Sequence, residues 1–301
     1  METKNCHVVA QSYLSGFSFD DDFTYATRRK NNRWSEIFKP KVKDICREKN
    51  FYALLEKGGF TTDILEKKFS KKIENKWKNL ILELENFPFA VFIANTFDRD
   101  FVLAESSINV LSKFILLQKI RTPSGFAYMY PHVGDFLDKK TLKQLRKAGI
   151  TKKIFSHQVM ARAMESFLDD TSKSEELFRI KRIRLMINAN TLPFITSNAP
   201  CVWFSHKNKN VIYVPLSSKF AIEVRSTDPA DRSIIVGYVD LDTIKDRNRL
   251  LANFVKQENS NKSMLISNNQ EALDLAIKPS ELIDASFVVG PPGLEPGTNR
   301  L

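Results

Sequence analysis

Between Asp63 and Leu84 the apolar residues Ile64, Leu65, Phe69, Ile73, Trp77, Leu80, Ile81 and Leu84 recur three or four positions apart, while Lys67, Lys68, Lys71, Lys72, Lys76 and Lys78 fill the other faces. That period predicts an amphipathic, basic helix. Thr61 or Thr62 can cap it, and Asp63 and Glu66 suit its positive end. Pro88 punctuates the chain, and a second helical region is expected over residues 89–119, broken near 98–100 and stopped ahead of Pro123. Further helices are expected at 139–147, 152–168 and 174–187.

Beyond Ile187 the period shortens. Runs at 192–196, 201–204, 211–214, 220–224 and 234–239 are rich in β-formers and bounded by Asn, Pro, Lys and Ser, which predicts an antiparallel meander. Two early strands are expected at 23–28 and 45–52, with breaks at Asn31, Asn32 and Pro40. A helix at 242–256, a strand at 263–267 and a last helix or turn at 271–277 follow. The expected class is α+β, with a short β-containing amino-terminal segment, a helical first two thirds, and then the antiparallel meander with a few helices. A single domain would span 1–280, with sub-lobes 1–187 and 188–280. Residues 281–301 have a Gly- and Pro-rich composition that does not pack a core, predicting a disordered tail.

Composition narrows the class. The chain has 301 residues, 43% of them hydrophobic, enough for a core of ordinary size. Cys6, Cys46 and Cys201 are odd in number and far apart, so neither a disulfide framework nor a zinc site is indicated. No apolar run is long enough to span a bilayer, and the expected setting is the reducing cytoplasm, away from membranes.

The formal charge of +11 is uneven: residues 1–150 carry 26 basic and 18 acidic side chains, against 20 and 17 in residues 151–301. Arg28, Arg29, Lys30, Arg33 and Trp34, with Lys71 and Lys72 further on, combine cations for phosphates with an aromatic face for a base. Nucleic acid is the partner that this pattern suits; an ordinary solvated basic face fits it too.

Candidate chemistry begins with His7 and Gln11. A helical spacing would put an imidazole beside an amide that orients it, and an extended one keeps both on one face. Such a pair serves acid–base work, or simply ties the amino terminus to the body of the fold. No Walker loop, dinucleotide fingerprint, HExxH or nuclease carboxylate motif is present, so no cofactor or metal is expected.

The stretch from His7 through Gln11, Tyr13, Leu14, Phe17 and Ser18 resembles the opening of the bacterial domain-of-unknown-function family numbered four-two-three-eight, with Val8 and Ala10 where that family has Tyr and Pro. Gln118 followed by Arg121-Thr122-Pro123 is similar to its second signature. Thr196-Ser197-Asn198-Ala199-Pro200 resembles its Thr-Ser-Asp-x-Pro, and Pro215-Leu216-Ser217 its Pro-Leu-Ser. Asn198 replaces a carboxylate, which leaves a turn-forming amide where a base or metal ligand could have stood. Glu74 sits where acidic positions recur in the family's helix.

Members of that family are described as antiphage defence proteins. The resemblance therefore implies a defence or toxin-like effector, read as a nuclease acting on RNA or DNA. In that reading His7 is acid or base, Gln11 orients it, Arg121 holds the phosphate, Glu74 or Gln118 assists, and Ser197 and Asn198 complete the candidate set. The alternative is a non-catalytic sensor that binds nucleic acid or a phage protein. The final residues look like translation through the reverse strand of a transfer-RNA gene, a common border of mobile elements.

Overall fold

The computed structural model describes residues 5–20, 22–49, 51, 54–56, 59–61, 63–94, 105–122, 139–147, 152–169, 181–206, 209–226, 234–257, 263–278 and 286–287. Expected features at 98–100, at Pro123 and over 288–301 lie outside them.

The centre of the molecule is a six-stranded sheet in the order β12-β7-β11-β10-β9-β14, formed by β7 (Lys181–Asn188), β9 (Val202–His206), β10 (Lys209–Pro215), β11 (Phe220–Ser226), β12 (Ile234–Val239) and β14 (Ser286–Phe287). Side chains alternate across it with period two. Ile183, Leu185, Ile212, Val214, Ile222 and Val224 enter one core, whereas Met186, Val202, Val211, Tyr213 and Ala221 enter another. Both faces are therefore covered, and this explains why its strands read as short, nearly continuous apolar runs.

The first core is closed by helices: α1 (Gln11–Leu14), α2 (Asp63–Phe69), α3 (Asn75–Ala94), α4 (Glu105–Arg121) and α6 (Lys152–Asp169) contribute Leu14, Leu65, Phe69, Trp77, Phe114, Ile115 and Met164. Between them in sequence lies the polar helix α5 (Lys139–Lys147). On the other face, α7 (Leu241–Gln257) and α8 (Gln270–Ile277) bring Ile244, Leu251, Val255 and Leu273. Asn269 caps α8 by accepting from the Ala272 N–H at 3.0 Å.

The amino-terminal part is built of short strands: β1 (Asn5–His7) pairs with β4 (Arg47–Lys49), β5 (Leu54–Glu56) with β6 (Gly59–Thr61), and β2 (Tyr25–Lys30) with β3 (Arg33–Trp34). The Asn31-Asn32 break is a two-residue hairpin turn with both φ positive, 50° and 63°, as a type I′ turn requires. In a second sheet, β3-β2-β13-β8, strand β2 lies beside β13 (Met264–Ser267), which in turn pairs with β8 (Thr196–Ser197). The two ends of the chain are thus joined by backbone hydrogen bonds.

Four expectations need correction. The first two thirds are not helical: strands fill the region before Asp63, the helices follow, and the carboxyl-terminal region is mostly sheet. Residues 181–187, expected to be helical, are strand β7, because Ile183, Leu185 and Ile187 alternate inward with period two. Nor is the last part a pure antiparallel meander, since β12 runs parallel to β7 after crossing over it from β11. In addition, Ser286–Phe287 pair with β9 inside the stretch assigned to the tail.

Within the helix expected from Asp63 onward, Ser70–Glu74 form a π-helical turn between α2 and α3. Residues eight apart on an ideal α-helix point about 80° apart; one extra residue in the turn brings them to within about 20°. Glu66 and Glu74 are therefore turned onto one side.

Candidate functional site

His7 ends β1, directly opposite Arg47 in the register with β4. Its Nε2–H donates to the Lys43 carbonyl at 3.3 Å, so the neutral ring carries its lone pair on Nδ1. This carbonyl, not Gln11, orients the imidazole. Gln11 opens α1 instead of continuing a helix from His7, and its amide makes no hydrogen bond to His7 among the described residues. Just before Arg47 stands Cys46, buried, with φ at 53°. A left-handed conformation at a non-glycine residue costs on the order of 1–3 kcal/mol. Burial pushes its thiol up to about 12, so it stays protonated.

Arg121 is the last residue of α4 and only 2% exposed. Its guanidinium lies 4.0 Å from the centre of the Phe69 ring, and Nη2 is 3.7 Å from Oε1 of Glu74 at the end of the π turn. One turn earlier, Gln118 is also 2% exposed, and its Oε1 has no hydrogen-bond partner among the described residues. Phe114, Gln118 and Arg121 share one face of α4 by their spacing of four and three. Phe114 stacks on Tyr13 at 4.7 Å, which fixes where that face points.

The charges in this region act on one another. Burial lowers the His7 imidazole below its ordinary value; Arg47 and Arg121 push the same way, against the Lys43 carbonyl and Glu66. Burial raises the Glu74 carboxyl above its ordinary value, opposed by Arg121 and reinforced by Glu66. An imidazole pushed towards its neutral form and a carboxyl drawn towards protonation, each influenced by Arg121, suit acid–base chemistry. Elements separated by more than a hundred residues are thus brought together: His7, Glu66, Glu74, Gln118 and Arg121. The family pattern pointed to His7, Glu66, Glu74, Gln118 and Arg121; nothing in the sequence signalled Phe69 under Arg121 or the carbonyl that holds His7.

Ser197 and Asn198 are placed differently. Ser197 accepts the Ala199 N–H at 3.0 Å, and the Asn198 amide oxygen accepts the Met264 N–H at 2.9 Å, bracing the end of β8 against β13. Those are turn and sheet contacts, consistent with Asn where a carboxylate was expected. Tyr13 joins this region to the opening motif: its hydroxyl donates to the Pro215 carbonyl at 2.7 Å and meets Thr196 Oγ1 at 2.6 Å. Gly16 is packed close by, where an added Cβ would lie 3.1 Å from that of Ser217. Three of the four recognised motifs are therefore one physical junction.

Of the basic set, Arg28, Lys30 and Arg33 are exposed on the β2–β3 hairpin, Arg28 lying 5.1 Å over the Phe38 ring. Trp34 is half-buried against the second core. Arg29 faces inward: it donates to the Lys256 carbonyl at the end of α7 and to Asn32 Oδ1, so it serves as a helix C-terminal cation and is removed from the basic face. Lys71 is exposed and Lys72 half-buried on the π turn itself.

Among the described residues, no group of three or more His, Cys, Asp or Glu is arranged to hold a metal ion. No helix among them is long and apolar enough to cross a membrane. No curated protein and no solved structure matches the chain. Residues 5–270 match the proteins of unknown function DUF4238, a span that includes the His7, Arg121 and Thr196–Pro200 regions, and the chain belongs to that family.

Proposed function

We propose that the chain is an effector nuclease that cleaves a phosphodiester of nucleic acid, with His7 as proton acceptor, Glu74 as proton donor and Arg121 as the group that holds the phosphate. The observation that carries this reading is the Glu74–Arg121 pair at 3.7 Å, from the π turn and the end of α4, with His7 of β1 close enough to feel the Arg121 charge. A guanidinium shared between a carboxyl and an incoming phosphate suits a donor that gives up its proton as charge moves onto the leaving oxygen. Arg47 on β4, opposite His7, and Lys71 on the π turn are both exposed and add positive potential for a polyanion. The role that the family resemblance implies is defence against phage, with nucleic acid as the substrate and a phage component as the trigger.

The test is cleavage of end-labelled single- and double-stranded RNA and DNA by the purified chain, beside His7→Gln and Glu74→Gln, with fold checked by circular dichroism. Loss of cleavage by about 100-fold or more in both folded variants is expected, the usual scale for an acid–base group. Undiminished cleavage in folded His7→Gln would overturn the assignment.

A second reading is a sensor that binds nucleic acid without cutting it, favoured by the exposed Arg28, Lys30 and Arg33 on one hairpin. It requires binding that weakens steeply with salt and is unchanged by His7→Gln.

A further inference from the structure

Gln118 brings to the cluster a buried acceptor that no described residue satisfies. It is 2% exposed, and its Oε1 is buried without a partner among the described residues. A buried carbonyl oxygen in that condition costs free energy until a donor reaches it. Its neighbours on the helix face are Phe114, held against Tyr13, and Arg121, held against Glu74 and Phe69. The Arg121 side chain starts about 5–6 Å away, the usual separation of positions three apart on a helix.

The backbone of a nucleic acid offers almost no donors. Phosphate oxygens, the ring oxygen and the bridging oxygens all accept. The 2′-hydroxyl of ribose is the exception, and it belongs to the same nucleotide as the phosphate beside it. An acceptor placed one helical turn from a phosphate-holding arginine is therefore at the right distance to read the sugar, whereas base edges lie farther out.

Resting on the reading of the cluster as a phosphodiester site, we infer that Gln118 is a specificity residue: its Oε1 accepts the hydrogen bond of a 2′-hydroxyl, and the substrate class is RNA. Deoxyribose leaves that oxygen buried and unsatisfied. Discrimination of this kind is large when a site is built around a buried acceptor, because the wrong ligand is penalised as well as the right one favoured.

The experiment compares one single-stranded sequence prepared as RNA, as DNA and with 2′-fluoro sugars, which accept but do not donate. Binding and cleavage are measured with the wild-type chain and with Gln118→Leu. The wild type is expected to prefer RNA by about tenfold or more over both analogues, the effect of one well-made hydrogen bond. Gln118→Leu is expected to bind all three alike, at the affinity the wild type shows for DNA. A wild-type chain that treats RNA, DNA and 2′-fluoro strands alike overturns the inference and leaves the nuclease assignment standing. So does a folded Gln118→Leu that keeps the RNA preference. Failure to bind or cut any of the three removes both.

Discussion

Replacing Tyr13 by Phe removes one oxygen from a site whose packing is otherwise preserved. The ring keeps its neighbours Phe17, Trp77 and Phe114, with centroids 5.3, 5.3 and 4.7 Å away. What disappears is the hydroxyl that donates to the Pro215 carbonyl at 2.7 Å and meets Thr196 Oγ1 at 2.6 Å. Because its single proton goes to Pro215, Thr196 supplies the proton of the second bond. Tyr13 and Thr196 are both fully buried. The variant therefore strands two groups with no route to water. At about 1–3 kcal/mol for each unsatisfied buried group, relaxation included, the expected loss is about 2–4 kcal/mol.

Urea unfolding followed by far-ultraviolet circular dichroism should show a lower midpoint with an unchanged slope. Adding Thr196→Val, which removes one of the stranded groups, should restore part of the loss in a double-mutant cycle. An unfolding free energy within about 0.5 kcal/mol of wild type would refute the reasoning, since it would mean that the hydroxyl contributes no more than an exposed one. Alkali provides a second check. Burial raises the Tyr13 phenol well above its ordinary value of 10.0, so its contribution is fully present below pH 10 and is lost as pH rises beyond that value. Tyr13→Phe lacks this part of the alkaline decline.

Other consequences are equally measurable. Glu223 is fully buried and accepts from Arg225 at 2.6 Å and Arg247 at 2.5 Å; burial pushes its carboxyl up, but the two guanidinium groups outweigh it and hold it below 4.5. Glu223→Gln should cost about 2–3 kcal/mol at neutral pH, less than a fully buried pair because both arginines reach solvent. That deficit should shrink as pH falls below 4.5 through the folded-state value, and a deficit independent of pH would contradict it. Gly16→Val should destabilise by about 1–3 kcal/mol, because even a Cβ there meets Ser217 at 3.1 Å; thermal unfolding reads the effect. The His7 ring, followed by nuclear magnetic resonance, should titrate below 6.5, and stability linked to it is present above 6.5 and lost as pH falls.

The helices were legible where one period ran unopposed. Leu241–Gln257 and Gln270–Ile277 fall within a residue of their expected limits, since apolar spacing marks them and Asp240 and Asn269 cap them. The π turn left no trace, because Phe69, Ile73 and Trp77 are four apart and that spacing suits a π turn as well as an α-helix. Strand β7 was hidden by Lys181, Arg182 and Arg184, whose charges suggest an exposed helix until the alternation of Ile183, Leu185 and Ile187 is given priority. The parallel pairing of β12 with β7 is set by a crossover, and no local pattern encodes it. At the cluster, His7 and Arg121 were marked by motif, while the partners that tune them come from packing: a backbone carbonyl at Lys43, the Phe69 ring and the geometry of Glu66.

The pairing of β2 with β13 sets a schedule for synthesis. Tyr25–Arg28 take their sheet neighbour from Met264–Ser267, and Tyr13 waits for Thr196 and Pro215. A nascent chain that already carries His7 through Arg121 can pair β1 with β4 but still lacks the sheet neighbour of β2 and the partners of the Tyr13 hydroxyl. Closing loops of this length is slow, and the edge of β2 that faces β13 stays unpaired until nearly the whole chain has followed. Ribosome-bound chains ended before residue 264 should expose β2 to protease, and chains extended past 278 should protect it. The Tyr13 junction is thus among the last parts of the molecule to become rigid, although its first residue is among the earliest to be made.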